Sequence, residues 1–158
     1  MIITNPQGDD YLKIHELTGK LEGLVQHPVH FYSIICRYFG NSVFIVKEKD
    51  EIVGFTWGFI SQDDKDIFFL WQIGLDKKYR GRKLAQKLVG RLMDFARDNN
   101  CKKIHATVET GNTPSARMFE KMNFRNASHG NTIIENGKKA MVNYYGSGTN
   151  QILYEYVL

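Results

Sequence analysis

A basic, glycine-containing turn between two apolar segments is the part of this sequence best suited to chemistry. Residues 80–85 read Arg-Gly-Arg-Lys-Leu-Ala, after the apolar segment 67–75 and before the amphipathic segment 84–96. A strand that leads through such a turn into a helix presents free backbone N–H groups and the positive end of the helix dipole. The turn is therefore predicted to bind an anion, and a pyrophosphate would fit. The simpler alternative is a solvated basic turn that caps a surface helix.

The elements that position this turn follow from the spacing of apolar residues. Steps of three and four residues predict four helices. Their segments are Tyr11 to Leu24, Pro28 to Phe39, Leu84 to Ala96 and Pro114 to Met122. Proline is tolerated in the first turn of a helix, which suits Pro28 and Pro114.

Short apolar or alternating segments predict strands. They cover residues 1–4, 43–46, 52–60, 67–75, 103–109 and 152–158, and Asn136-Gly137 predicts a further hairpin. The order of strand 67–75, helix and strand 103–109 predicts a parallel pair. The fold class is therefore α/β, with a mixed, mainly antiparallel sheet flanked by helices. At this length, residues 1–158 are predicted to form a single domain.

Composition narrows the classes of function. The chain is 42% hydrophobic and 24% charged, with no apolar run near the ~20 residues of a membrane helix and no signal-peptide pattern. No membrane partner and a cytoplasmic location are therefore expected. Cys36 and Cys101 form no Cys-x-x-Cys pair, and no metal is expected. The net charge of +4 suits a polyanionic ligand. No nucleic acid is expected, because the aromatic residues follow core periodicity.

The basic turn resembles the acyl-CoA-binding motif of the GNAT N-acetyltransferases, Gln/Arg-x-x-Gly-x-Gly/Ala. Arg80 matches the first position and Ala85 the last. Lys83 stands where the family usually has glycine, which would permit closer backbone approach.

A second segment strengthens the resemblance. Residues 112–124 are similar to the family pattern Asn-x-x-Ala/Ser-x-x-Leu/Met-Tyr/Phe-x-x-x-Gly-Phe, with Asn123 in place of its glycine. Asparagine also tolerates left-handed geometry at the end of a helix. The two segments lie in the family's order and together cover roughly residues 67–125.

The resemblance implies an acetyl-CoA-dependent N-acetyltransferase in which an amine attacks the thioester directly, within a ternary complex. It implies a central, splayed parallel strand pair with a V-shaped opening for the cosubstrate, acetyl-CoA. The N–H near Ile73 is implied to donate to the thioester oxygen. The residues implied to hold coenzyme A are Ile73, Leu75, Arg80, Gly81, Arg82, Lys83, Leu84, Ala85, Asn112, Ser115 and Phe119.

An ammonium with a pKa near 10 must lose a proton before it attacks a thioester. Glu109, at the end of strand 103–109, is the predicted catalytic base, acting through water; a surface carboxylate in a turn is the alternative. His105 lies on the same strand face. Many family members have tyrosine where this chain has Phe119, so the acid for the leaving thiolate stays open. The candidates are Tyr144, Tyr145, Tyr154 and a water molecule.

Two further stretches resemble the diaminobutyrate acetyltransferases of ectoine synthesis. Residues 69–73 match their Phe-x-Trp-Gln-Val/Ile segment, and residues 32–36 resemble their Tyr-Leu-Leu-Leu-Cys helix. The resemblance implies that Trp71, Tyr32 and Glu109 line the acceptor site. Core packing is the alternative for Trp71.

The chain departs from that subfamily at several substrate-site residues. Residues 24–29 contain no acid, and residues 146–150 contain no histidine. The predicted acceptor therefore stays broad: a primary amine of a small molecule, an amino acid or a diamine, with diaminobutyrate among them. The alternatives are a non-catalytic acyl-CoA-binding domain and a GNAT enzyme acting on a protein N-terminus or lysine. Apolar and tyrosine residues in excess near the C-terminus predict a homodimer.

Overall fold

The computed structural model describes all 158 residues. Its strands are β1 (Ile2–Thr4), β2 (Val43–Glu48), β3 (Glu51–Ile60), β4 (Ile67–Leu75), β5 (Lys103–Glu109), β6 (Arg125–Asn126), β7 (Thr132–Glu135), β8 (Lys138–Met141) and β9 (Gln151–Val157). Its α-helices are α1 (Asp10–Lys20), α2 (Val29–Tyr38), α3 (Leu84–Asp98) and α4 (Thr113–Lys121). Short 3-10 turns lie at Gly40–Ser42 and Lys77–Tyr79.

The chain divides into two compact units, of which the first contains residues 1–59 and 70–99. Its strands follow the order β1, β2, β3, β4, and β2 is antiparallel to both β1 and β3. Apolar side chains of α1, α2, β2 and β3 form its core, with Ile14, Tyr32 and Phe55 fully buried. The second half of β4 and the start of α3, which carry the basic turn, therefore belong to a well-packed unit.

The second unit contains residues 60–69 and 100–158. β5 pairs with β9 in antiparallel register from Lys103–Val157 to Glu109–Gln151. β9 also pairs with β6 and β8, and β8 pairs with β7. The first residues of β4 lie beside β5, where the Asp66 carbonyl accepts hydrogen bonds from the Lys102 and Lys103 N–H groups at 2.7 and 2.9 Å. β4 and β5 form the parallel pair that the sequence predicts.

The first helix ends earlier than its periodicity predicts. α1 stops at Lys20, and Leu21 is already extended with ψ of 115°. Leu21 and Leu24 nevertheless pack against the core of the first unit. Their spacing thus reflects burial, which a loop satisfies as well as a helix does.

A buried ion pair joins the start of α1 to the sheet of the first unit. Asp10 is buried, and its Oδ2 lies 2.8 Å from the Lys47 Nζ and accepts the Gln7 N–H at 2.8 Å. A buried carboxylate is tolerated only when it is paired in this way. None of the helices is both long and apolar enough to span a bilayer.

Candidate active site

The basic turn adopts the conformation of an anion-binding loop. Gly81 has φ of 78° and Lys83 has φ of 58°, so both lie in the left-handed region. α3 begins at the next residue, Leu84, and Lys83 supplies no side-chain cap to it. The N–H groups of a first helical turn have no intrahelical acceptor, which leaves them available to a ligand. The side chains of Arg80, Arg82 and Lys83 are exposed around them.

Neighbouring residues of the first unit hold this turn in place. The Tyr79 hydroxyl donates a hydrogen bond to Glu48 of β2, and this bond raises the pKa of Tyr79 above its usual value. The Arg82 guanidinium carbon lies 5.2 Å from the centre of the Tyr79 ring, within the range of a cation–π contact. Asp76 accepts the Lys78 N–H at 2.9 Å and so caps the short 3-10 turn at Lys77–Tyr79.

The strand before the turn exposes an aromatic surface. Trp71 is 45% exposed, and its ring stacks on Trp57 with centroids 5.0 Å apart and planes 20° apart. Phe31, Phe59 and His27 approach the same Trp71 ring edge-on, at 5.9, 5.9 and 6.4 Å. Trp71 is therefore neither a core residue nor an isolated surface side chain. It is the open face of an aromatic cluster.

Tyr32 lies behind this cluster rather than on it. Its side chain is 0% exposed, and its hydroxyl accepts the backbone N–H of His27 at 3.2 Å. Cys36, one helical turn later, is half-buried, and burial raises the pKa of its thiol to about 12.

In the second unit, Glu109 borders a polar cleft. The carboxylate is exposed at the last residue of β5, and the cleft has a volume of about 160 Å³. Glu135 and Asn150 line it as well, and the Asn150 amide donates to Glu135 at 3.2 Å. The cleft thus places a free carboxylate beside hydrogen-bonding groups, as a water-mediated base requires.

Helix α4 is fixed at both ends by the residues of the second motif. The Asn112 side chain accepts the Ser115 N–H at 3.2 Å and caps the N-terminus. At the other end Asn123 has φ of 66°, so it takes the left-handed position that the family gives to glycine, as predicted. The N–H groups of Asn123 and Phe124 bond the carbonyls of Glu120 and Phe119, both at 3.0 Å, which is the Schellman arrangement.

Phe119 occupies the interior of the second unit. It is 2% exposed, stacks on Tyr154 with centroids 5.8 Å apart and meets Phe124 edge-on at 5.0 Å. The Tyr154 hydroxyl donates to Glu120 at 2.8 Å, and burial raises the pKa of Tyr154. Lys138 also donates to Glu120, and these two bonds lower the pKa of that carboxyl.

Two other polar candidates on this unit, His105 and Tyr145, are engaged as well, whereas Tyr144 is exposed. His105 Nε2 lies 2.9 Å from Glu155 Oε2, and this bond is the main reason that the pKa of Glu155 is lowered. The Tyr145 hydroxyl lies 2.7 Å from Thr107 Oγ1, and burial raises the pKa of Tyr145. Glu109, by contrast, is exposed at the border of the polar cleft.

Two residues of the first unit that sequence reasoning did not single out contribute to this geometry. Tyr79 supports Arg82, and Gln72 joins Trp57 to the loop after α1 through its side-chain amide. Gln72 was visible only as part of the Trp-Gln match. The sequence did not show that the Gln72 side chain is buried.

Comparison with known proteins places the chain in a family. The sequence model described as "Acetyltransferase (GNAT) family" matches residues 11–124, which is most of the chain. The protein therefore belongs to the GNAT acetyltransferases. This membership confirms the predicted resemblance to the acetyltransferases of that family.

Curated relatives narrow the likeness to one group within that family. The L-2,4-diaminobutyric acid acetyltransferase of Halalkalibacterium halodurans is 33% identical over 120 residues, 76% of this chain and 63% of its own length. The enzyme of the same name from Shouchella clausii is 30% identical over 122 residues, 77% of this chain and 68% of its own. The matched part thus spans about two thirds of these relatives. The predicted resemblance to this group is confirmed.

Solved structures confirm the fold. Diaminobutyrate acetyltransferase EctA from Paenibacillus lautus, in complex with L-2,4-diaminobutyric acid and coenzyme A, has a TM-score of 0.75, covers 98% of this chain and 93% of its own, and is 20% identical. The ribosomal-protein-S18-alanine N-acetyltransferase of Escherichia coli also has a TM-score of 0.75, with 99% and 92% coverage at 14% identity. The mixed sheet with its parallel pair is the common architecture.

Proposed function

We propose that this protein transfers an acetyl group from acetyl-CoA to a primary amine of a small molecule, with a diamino acid such as L-2,4-diaminobutyrate as the first candidate. The observation that carries the proposal is the turn at residues 80–85. Left-handed Gly81 and Lys83 lead into the uncapped start of α3 among three exposed cations. Backbone N–H groups and positive charge at a helix N-terminus suit the pyrophosphate of coenzyme A. Leu84 is buried, so only its N–H would take part.

The chemical step needs few groups. The neutral amine nitrogen attacks the thioester carbonyl carbon, and the C–S bond breaks as the tetrahedral intermediate collapses. The amide forms, the amine loses its proton to a base, and the coenzyme A thiolate accepts a proton. We assign the oxyanion contact to the backbone N–H near Ile73, and pantetheine binding to Ile73 and Leu75, both half-buried on β4.

Glu109 is the proposed base, relaying the ammonium proton through water. Its support is the exposed carboxylate at the border of a polar cleft. Asn112, Ser115 and Phe119 remain proposed cosubstrate residues. Asn112 and Ser115 form the helix cap, and Phe119 would act through packing because it is buried. The Phe119 side chain has no acidic proton to donate, so solvent water is the simplest acid for the thiolate.

The proposed acceptor surface is the open face of Trp71. An exposed indole ring can cover the alkyl chain of an amine or bind its second ammonium group. Tyr32 would contribute indirectly, because its buried hydroxyl holds the backbone of His27 beside that ring. The support from relatives is that the curated enzymes at 30–33% identity acetylate L-2,4-diaminobutyric acid, as their names state.

Two measurements test the proposal. Calorimetry with coenzyme A and acetyl-CoA should give saturable heat that falls with added salt, and Arg80→Ala should weaken the binding. Thiol release should then be followed with L-2,4-diaminobutyrate, diamines and monoamines, and with a peptide N-terminus. Acetyl-CoA binding without thiol release from any amine would support a non-catalytic acyl-CoA-binding domain. Release only with the peptide would support an enzyme of protein N-termini, whose fold this chain shares.

The expected homodimer is also a proposal. β7 is the last strand in the sheet order, and Ile133 and Ile134 on it are exposed. An exposed apolar edge strand favours pairing with another strand. Sedimentation at micromolar concentration should give twice the mass of 18.3 kDa; the monomer mass alone would refute the dimer. A cytoplasmic location is proposed as well, in keeping with the two free cysteines.

A further inference from the structure

Gln72 is a buried polar residue at the centre of the first unit's aromatic cluster. Its side chain is 6% exposed, and it directly follows Trp71 on β4. A buried amide is costly unless its donor and acceptor both find partners. The partners therefore show what the residue holds together.

The Gln72 amide connects two separate parts of the unit. Its Nε2 donates to the carbonyl of Val25 at 3.2 Å, in the loop between α1 and α2. Its Oε1 accepts the indole N–H of Trp57 at 3.4 Å. An amide is suited to this position because it offers a donor and an acceptor side by side. Neither an apolar side chain nor a carboxylate of the same size offers both.

Both partners lead to the exposed Trp71 ring. Trp57, 3% exposed, is the ring on which Trp71 stacks. The Val25 carbonyl lies two residues before His27, whose ring approaches Trp71 edge-on. One side chain thus fixes the support of the Trp71 ring and the position of the loop beside it.

We propose that Gln72 is a positioning residue for the amine acceptor. It determines the orientation of the Trp71 face and the distance of the α1–α2 loop from it, and so the affinity for the acceptor. This role rests on the proposed function, in which Trp71 forms the acceptor surface. Cosubstrate binding at the turn of residues 80–85 does not depend on it.

The test replaces the amide with an apolar chain of similar size, Gln72→Met. The matched control is Thr56→Val, which removes the buried bond from the Thr56 hydroxyl to the Gln72 backbone carbonyl, 2.9 Å long, and leaves the side-chain amide untouched. We expect Gln72→Met to raise KM for L-2,4-diaminobutyrate, or for the best amine of the panel, about tenfold, because a buried hydrogen-bonding group is left without its partner. KM for acetyl-CoA should change by less than about twofold, and Thr56→Val should leave both KM values near wild type.

A spectroscopic measurement tests the same role without catalysis. Two stacked indoles give an exciton couplet in the far-ultraviolet circular dichroism spectrum, which Trp71→Phe should abolish and so assign. Gln72→Met should weaken the couplet, and Thr56→Val should keep it. If no amine is acetylated, the proposed function fails, yet the couplet still tests whether Gln72 orients the indole pair.

A second Gln72 variant is used if Gln72→Met does not fold. Gln72→Leu is a smaller apolar replacement that, like methionine, bonds neither the Trp57 N–H nor the Val25 carbonyl. It should likewise weaken the couplet and raise KM for the amine. The proposal is overturned if the couplet and KM for the amine stay at wild-type values in a Gln72 variant. It is also overturned if both KM values rise together, or if Thr56→Val reproduces the Gln72 pattern.

Discussion

Lys83 adopts a left-handed backbone conformation that costs glycine less free energy, and the difference can be measured with two variants. Its φ of 58° and ψ of 19° bring the Cβ atom close to the following carbonyl, at a cost of about 1–2 kcal/mol for residues other than glycine. Lys83→Gly removes that cost, and the greater freedom of glycine in the unfolded chain offsets about 0.5–1 kcal/mol of the gain. The matched variant is Lys83→Ala, which loses the same charge and side chain but keeps the Cβ atom.

We expect Lys83→Gly to be more stable than Lys83→Ala by about 0.5–1 kcal/mol, from urea titrations with equal slopes. In a chain of this size that difference corresponds to about 1–4 °C in melting temperature. Calorimetry should show that both variants bind coenzyme A more weakly than wild type, by roughly twofold to fivefold, since each loses one exposed charge. If Lys83→Ala is the more stable variant, as in an ordinary helix, the argument from backbone conformation is refuted.

Three further outcomes are expected. Asn123→Ala should lower the free energy of unfolding by about 1 kcal/mol and so lower the melting temperature, while Asn123→Gly should not, because residue 123 has φ of 66°. Equal losses in the two variants would contradict the Schellman assignment. Cys36 should react with a thiol reagent at least about a hundredfold more slowly than a free cysteine at neutral pH, because its pKa is raised to about 12; mass spectrometry of the folded and the urea-unfolded protein checks this. Tyr154→Phe should cost about 1 kcal/mol at pH 7 and progressively less as the pH is lowered below 4.5. The reason is that the Glu120 pKa is lowered in the fold, so its contribution is present above pH 4.5 and is lost as the pH falls through its folded value. A cost that stays constant throughout an acid titration would show that the bond does not depend on the charge of Glu120.

Local signals in the sequence predicted many elements well. β4, β5 and the 136–137 hairpin lie where period and turn residues place them, and α3 begins at Leu84 as predicted. Asn136 and Gly137 have φ of 51° and 74°, the positive values that this kind of turn requires. The end of α1 was missed, because Leu21 and Leu24 continue the apolar spacing although the chain is no longer helical. Periodicity reports burial, and a loop packed on a core can carry the same spacing.

Sequence patterns were most informative where a candidate site depends on backbone conformation. The turn at residues 80–85 depends on local geometry and charge, so its sequence was informative. The residues that support the turn and the Trp71 ring were harder to find, because their partners lie in segments far apart in sequence. Gln72 and Val25 are 47 positions apart, and Tyr79 and Glu48 are 31 apart.

The sequence by itself determined the order of strands and helices, the family, and the position of the basic turn at residues 80–85, because each depends on neighbours within a few residues. Only the tertiary structure decided that Lys83 takes the left-handed conformation of a glycine and that Tyr32 and Phe119 are buried. It also decided that the exposed Trp71 ring stacks on Trp57, whose indole N–H bonds the side-chain amide of Gln72. The physical reason is that burial and hydrogen-bond partners are set when distant segments pack together, which no local pattern of residues encodes.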